Sequence, residues 1–394
     1  MKIKAFRAFR FDKAVVGNVG DCIAPPYDVI NPAQQARLYE RNPHNIVRID
    51  FGKTMPQDTP TSNQYTRAAE YLRNWTMERA LVRDKSEMLY AYVQDFKVGS
   101  RDFQRSGFIA LGELEEFGKG VRPHEKTLEG PKADRLNLTR ATGAQFGKIF
   151  MLYDDPKGVA DAAIRRAMAG QAMVDAVDDE GVRHRLYGID AAQDIKAVSD
   201  MMADRQVIIA DGHHRYETAV NYWKETGNPK AAWSMMTFIN MRNPGLIILP
   251  THRLVGSLAS FDIKNLLKKL SKDFEVANFE YDTGEKDQAK KEMFAWMKEE
   301  YGDKHSAFGI YAGEGAFYAA VLKNPAAMDV VKDKSRPWRM LDVSTLHKLI
   351  LEDMLGIGEK ELATESNIEY IKDIGSALDL SIEAVDSGTK QVVF

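Results

Sequence analysis

Apolar positions along the chain follow two periods. From Gln64 to about Ala80, residues Ala68, Ala69, Tyr71, Leu72 and Trp75 recur at helical spacing. Residues 32–41, 157–169 and 190–205 predict further helices. Strand patterning covers 88–97 and 106–115, joined by a turn at Gly99-Ser100, and 149–153, 233–240 and 246–249. Residues 171–187 hold strand-like pieces, and Ile46 to Phe51 alternates as a strand does. Residues 21–32, with three prolines, predict a fixed extended loop, and 52–63 a polar one. Val207-Ile208-Ile209-Ala210 is an apolar run that predicts a buried strand. Asp211-Gly212-His213-His214-Arg215 follows at once, and a helix from Tyr216 to Glu225 after it. The last third alternates: a helix at 260–272, a strand near 274–280, a charged helix at 286–300, a strand pair at 306–322, and helices near 343–354 and 359–363.

Mixed strands and helices without a regular βαβ repeat predict an α+β fold. Residues 81–255 are expected to form the core, 1–80 an N-terminal segment packed on it, and 256–394 a smaller C-terminal α/β unit. The final Gln391-Val392-Val393-Phe394 reads as the middle of a strand, so this unit is expected to be truncated. No internal repeat interrupts this pattern.

Composition narrows the function. Of 394 residues, 54 are basic and 57 acidic, a net charge of −3. That balance points away from nucleic acid and from an anionic membrane surface. No stretch approaches an apolar membrane span, and Met1-Lys2-Ile3-Lys4 is not followed by the apolar core of a signal peptide. A single cysteine, Cys22, excludes an internal disulfide, which fits a reducing, cytoplasmic setting. Beside Ile23 and Ala24 it reads as a small buried apolar residue rather than a nucleophile. Phosphate-loop, GxGxxG, CxxC and HExxH motifs are all absent.

Four constellations carry candidate chemistry. In Asp211-Gly212-His213-His214-Arg215, a buried strand feeds a helix N-terminus, where free N–H groups and the helix dipole favour anions. Gly212 permits a tight turn. Asp211 can bind a divalent cation or orient a histidine, His213 and His214 can serve in acid–base, metal or phosphate roles, and Arg215 offers a phosphate fork. Asp211 also reads as a plain helix cap. A locally basic stretch, 116–148, contains His124, Glu125, Lys126, Lys132 and Arg135. There Glu125 is the candidate base or metal ligand and the others phosphate holders, or the stretch is a solvated charged loop. Pro25-Pro26 would fix Tyr27 and Asp28, for structure or for a site. His252 and Arg253, after an apolar run, join an anionic pocket or pair with nearby acids.

Taken together, these segments are familiar. APPYDVI (24–30), NPHNIVRID (42–50), HEKT with KADR (124–135), ADGHHRYETA (210–219), LPTHRLV (249–255) and LDVSTLHKLILEDMLGI (341–357) resemble the prokaryotic domain-of-unknown-function family numbered 1015. The ordered set spans nearly the whole chain. More distantly, the DGHHR turn resembles that of free-serine kinases, which have a ParB/sulfiredoxin-like fold and phosphorylate free serine. That resemblance implies a ParB/sulfiredoxin-like core, with Asp211, His213, His214 and Arg215 handling phosphate and metal. It implies Glu125 as base by role and order alone.

The resulting expectation is a phosphotransferase on a small hydroxyl substrate, free serine or phosphoserine first. Mg²⁺ would be held at Asp211, and ATP, ADP or pyrophosphate would be the donor. Two other readings stay open. One is a metal-dependent phosphoesterase using Asp211, His213 and His214 as ligands. The other is a non-enzymatic nucleotide-binding module.

Overall fold

The computed structural model describes residues 1–99, 101–123, 129–249, 251–302, 306–358, 361, 366–372 and 376–394. It is α+β, with helices and mixed sheets in two compact units, Met1–Ile247 and Ile248–Phe394. The strand Thr251–Val255 therefore belongs to the second unit.

The first unit is built on a nine-stranded mixed sheet. From one edge its strands run Val121–Arg122, Val207–Asp211, Ile149–Tyr153, Trp233–Asn240, Arg101–Glu113, Leu89–Val98, Arg183–Ile189 and Val174–Val177, while Ile3–Lys4 pairs beside Arg101–Glu113. Alternation explains why they form a sheet. In Ile149–Tyr153, residues Ile149, Met151 and Tyr153 are buried and join Phe108, Phe238, Val207 and Ile209 in one apolar core. Helices Val159–Met168 and Ala192–Ala203 contribute Ala160, Ile164, Val198 and Met202 to the same core.

A smaller apolar cluster gathers Cys22, Ile49, Ala68, Trp75 and Leu138 around the helix Gln64–Met77. Cys22 is fully buried there, and burial, helped by Asp21, pushes its thiol up to about 11. That is the buried apolar role its neighbours predicted.

Two expected strands form otherwise. Ile46–Phe51 is a helical turn, Val47–Asp50, because the fully buried Asn45 starts it. The Asn45 side chain accepts from the Val47 N–H at 3.0 Å and donates to the Asp21 and Ile23 carbonyls. Residues 246–249 are irregular. The Leu246 N–H turns back to the Asn243 carbonyl at 2.9 Å, and Ile248 is exposed.

The second unit carries a six-stranded sheet in the order Phe274–Glu280, Ala316–Leu322, Ala307–Tyr311, Val392–Val393, Thr251–Val255 and Ile368–Lys372. The expected helix near 343–354 begins as a turn, Asp342–Thr345, and continues as a π-helical segment, Leu346–Glu352. Among the described residues, no helix is long and apolar enough to cross a membrane.

Candidate functional site

The strand Val207–Asp211 pairs antiparallel with Ile149–Tyr153, and its register shifts between Ile209 and Asp211. Such an irregularity bends a strand and re-aims its last side chain. Val207 and Ile209 stay in the core while Asp211 is exposed. Gly212 follows at φ +90°, a left-handed conformation that glycine adopts without a Cβ penalty, and the helix His213–Thr226 starts. No acidic side chain occupies its first turn, and its N-cap, Gly212, has no side chain with which to cap it. The positive end of the helix dipole is therefore not neutralised from within the helix.

Arg215 folds back over this turn. It donates to the Asp211 carboxylate and to the Lys148 carbonyl. Two glycines make room for it. A Cβ on Gly212 would lie 3.0 Å from the Arg215 Nε, and one on Gly147 would lie 3.2 Å from its Cδ.

Arg135, on the helix Glu129–Thr142, is buried nearby. Its guanidinium donates to Asp50 at 2.8 Å and to Asp134 at 2.6 and 2.9 Å, and lies 3.9 Å over the ring of Tyr27. The Tyr65 hydroxyl donates to the other Asp134 oxygen at 2.8 Å. Burial pushes the Tyr27 hydroxyl up to about 12 even though Arg135 and Arg215 both pull it down. Tyr27 therefore serves as a neutral platform for the cation.

Asp50 pairs with Arg135 and lines the same hollow as Arg215. Burial raises its carboxyl above the ordinary value, and Arg135 and Arg215 oppose that shift. Lys148 is held below its ordinary value by burial and then by Arg215. Burial and neighbouring charge shift groups in this way at functional sites and in structural ion-pair networks alike. Two hollows meet here. One, of about 220 Å³, is lined by Ile30, Gln35, Phe51, Tyr65, Asp134 and Arg135 among others. The other, of about 60 Å³, includes Asp50, Arg135, Gly147, Arg215 and Ser234. Arg135 borders both.

The structure thus gathers Tyr27, Arg135, Asp211, Gly212 and Arg215. Asp28 is exposed beside Tyr27. Lys132 is held by Glu217 at 3.2 Å, which clamps the helix Glu129–Thr142 to the helix His213–Thr226. His213 is buried and His214 half-buried. His252 and Arg253 lie in the second unit. His124, Glu125 and Lys126 lie outside the described residues. Asp50 is a member of this cluster that the sequence does not single out, because the alternation of 46–51 predicts a strand there. The Asn-Pro-His-Asn run before it is a helix-start signal that would have corrected this. Lys148 was counted in the basic stretch but not assigned to a site.

Among the described residues no three His, Cys, Asp or Glu side chains gather as a metal site. Asp211, His213 and His214 do not group as such a site among the described residues. Asp211 is a carboxylate of the kind that can share a magnesium ion with a ligand's phosphates, which needs only one or two protein carboxylates.

The sequence model of the family described as "Protein of unknown function (DUF1015)" matches residues 3–344. The chain belongs to that family. None of the curated proteins matches it. Among solved structures it is similar to a free serine kinase in complex with AMP, with 12% identity, a TM-score of 0.28, and coverage of 70% of this chain and 72% of the other. A free serine kinase mutant in complex with ADP shows 10% identity, a TM-score of 0.28 and the same coverage. A conserved hypothetical protein from Pyrococcus furiosus shows 13% identity, a TM-score of 0.28, and coverage of 70% and 75%.

Proposed function

We propose that this DUF1015 protein is a phosphotransferase that moves a phosphoryl group between a nucleotide or pyrophosphate and the hydroxyl of a small acceptor, with serine the first candidate. One observation carries the reading. Arg135, buried between Asp50 and Asp134, and Arg215, paired with Asp211, border one hollow beside the start of the helix His213–Thr226. Phosphoryl transfer asks for positioning and charge stabilisation more than for covalent chemistry, and an array of this kind supplies both.

In this reading Arg215 and the first N–H groups of the helix His213–Thr226 hold the transferred phosphoryl group. Arg135 holds a second anionic group at the mouth of the larger hollow, where the acceptor sits. Asp50 and Asp211 keep the two guanidinium forks aimed. Tyr27 supports Arg135 from below, and Lys132, through Glu217, fixes the helix that carries Arg215. His213 and His214 stand on the first turn of that helix. Glu125 takes the acceptor's proton, a role that rests on the motif resemblance. Magnesium supplies charge neutralisation on the donor phosphates, and Asp211 is the residue that would hold it.

Calorimetric titration of pyrophosphate and ADP into the full chain tests the reading. Arg215→Gln should weaken binding of both by at least about tenfold, as expected when a charge-assisted fork is lost. Equal affinity in a folded Arg215→Gln protein would remove the basis for the assignment.

A further inference from the structure

The Arg215 guanidinium is engaged along its whole outer edge. Its Nη1 donates to the Lys148 carbonyl and its Nη2 to the Asp211 carboxylate. The remaining donor, Nε, lies against Gly212, where a Cβ would sit 3.0 Å from it. Arg215 also lines the smaller hollow, whose 60 Å³ is room for a few waters or one small oxyanion. An oxyanion that uses the fork therefore has to take the place of one of its two acceptors.

The two acceptors differ. The Lys148 carbonyl is backbone, fixed directly before the strand Ile149–Tyr153. The Asp211 carboxylate is a side chain, on the last residue of Val207–Asp211, just past the register shift that follows Ile209. Its side chain is 53% exposed, against 13% for Arg215. The pair Asp50–Arg135 is closed by comparison, with Asp50 at 18% and Arg135 at 8%. An ion pair with so open a partner adds little to stability, so the fold loses little when it parts. The same exposure lets a divalent cation reach the carboxylate from solvent. A cation held there repels the guanidinium and takes its acceptor.

We propose that Asp211 is an internal competitor for Arg215. Its carboxylate occupies the fork until a divalent cation draws it away, and the fork then takes an oxyanion at full strength. The carboxylate that aims the fork within the chain is thus also what keeps a bare anion from it. The proposal rests on the reading of Arg215 as a phosphate-holding residue and adds regulation to it. Cation and anion bind with positive coupling, each strengthening the other by the same factor.

The test is calorimetric titration of inorganic phosphate into the full chain, first with EDTA and then with saturating Mg²⁺, in wild type, Asp211→Asn, Asp211→Ala and Arg215→Gln. Without metal, both Asp211 variants should bind phosphate at least about threefold more tightly than wild type, the scale of a part-exposed ion pair. Mg²⁺ should tighten phosphate binding in wild type and leave it unchanged in the two variants. Asp211→Ala removes the acceptor altogether, so it reads the competition even where the Asn amide still holds Arg215. Metal-free binding in the folded Asp211 variants that is equal to wild type, weaker or absent would overturn the proposal. If Arg215→Gln is nonetheless weakened, only the competition fails and the phosphate role of Arg215 stands. Wild-type binding in Arg215→Gln would remove that role and the proposal together.

Discussion

Arg135 donates to Asp50 at 2.8 Å across a sequence separation of 85 residues. The contact joins the turn that Asn45 starts to the helix Glu129–Thr142, and it places a buried cation between two carboxylates, Asp50 and Asp134. Removing the cation would leave the buried Asp50 without an ion-pair partner among the described residues and Asp134 with only the Tyr65 hydroxyl. Arg135→Gln should therefore cost about 3–5 kcal/mol of stability. Asp50→Asn keeps the shape and removes a carboxylate that burial already disfavours, so it should cost less than about 2 kcal/mol. Urea denaturation of both variants checks the order, and an Asp50→Asn loss as large as that of Arg135→Gln would contradict it.

Gly147 and Gly212 both border Arg215, but they differ in backbone. Gly212 is left-handed at φ +90°, whereas Gly147 is not among the positive-φ residues. Gly212→Ala should lose about 1–2 kcal/mol of stability and also displace Arg215. Gly147→Ala should displace Arg215 with a stability change below about 1 kcal/mol, because only the flexible side chain has to move. Pyrophosphate affinity should fall in both. Unchanged affinity in Gly147→Ala would show that the Arg215 position is not used for anions.

His347 makes acid stability a measurable property of the second unit. Its folded pKa of about 4 lies below the ordinary value near 6.5, so the unfolded chain binds the proton first as pH falls. Its contribution is complete above about pH 6.5 and is lost progressively down to about pH 4, amounting to about 3 kcal/mol at most. His347→Gln cannot titrate. Thermal midpoints of the wild type should drop more steeply between pH 7 and 4.5 than those of the variant, and parallel curves would mean that His347 is not held neutral.

The strand–turn–helix around Asp211 was legible because its signals are local. An apolar run of four, then Asp-Gly, then a polar helix start, leaves few alternatives, and the structure follows it with Val207–Asp211 and His213–Thr226. Arg135 stood out by charge, but its partner did not. Asp50 lies in a segment whose Val47 and Ile49 alternate as a strand would, and only the capping bonds of the buried Asn45 turn it into a helix. Lys148 looked like one more surface cation, since sequence carries no record of the burial that depresses it. The Arg253–His347 contact spans 94 residues, and the π-helical turn that presents His347 has no periodicity of its own to read.

Phosphoryl transfer itself is the most direct test. The full chain with Mg²⁺ would be offered ATP, ADP or pyrophosphate together with serine, and phosphoserine in the reverse direction, with products followed by ³¹P NMR. Asp211 is half exposed and pairs with Arg215, so Asp211→Asn should change stability by less than about 1 kcal/mol while removing the group that aims the fork. The account predicts a phosphoserine signal from one of these donors in wild type and its near loss in a folded Asp211→Asn protein. Wild-type turnover in Asp211→Asn, or no transfer in either direction from any donor by the wild-type chain, would contradict it.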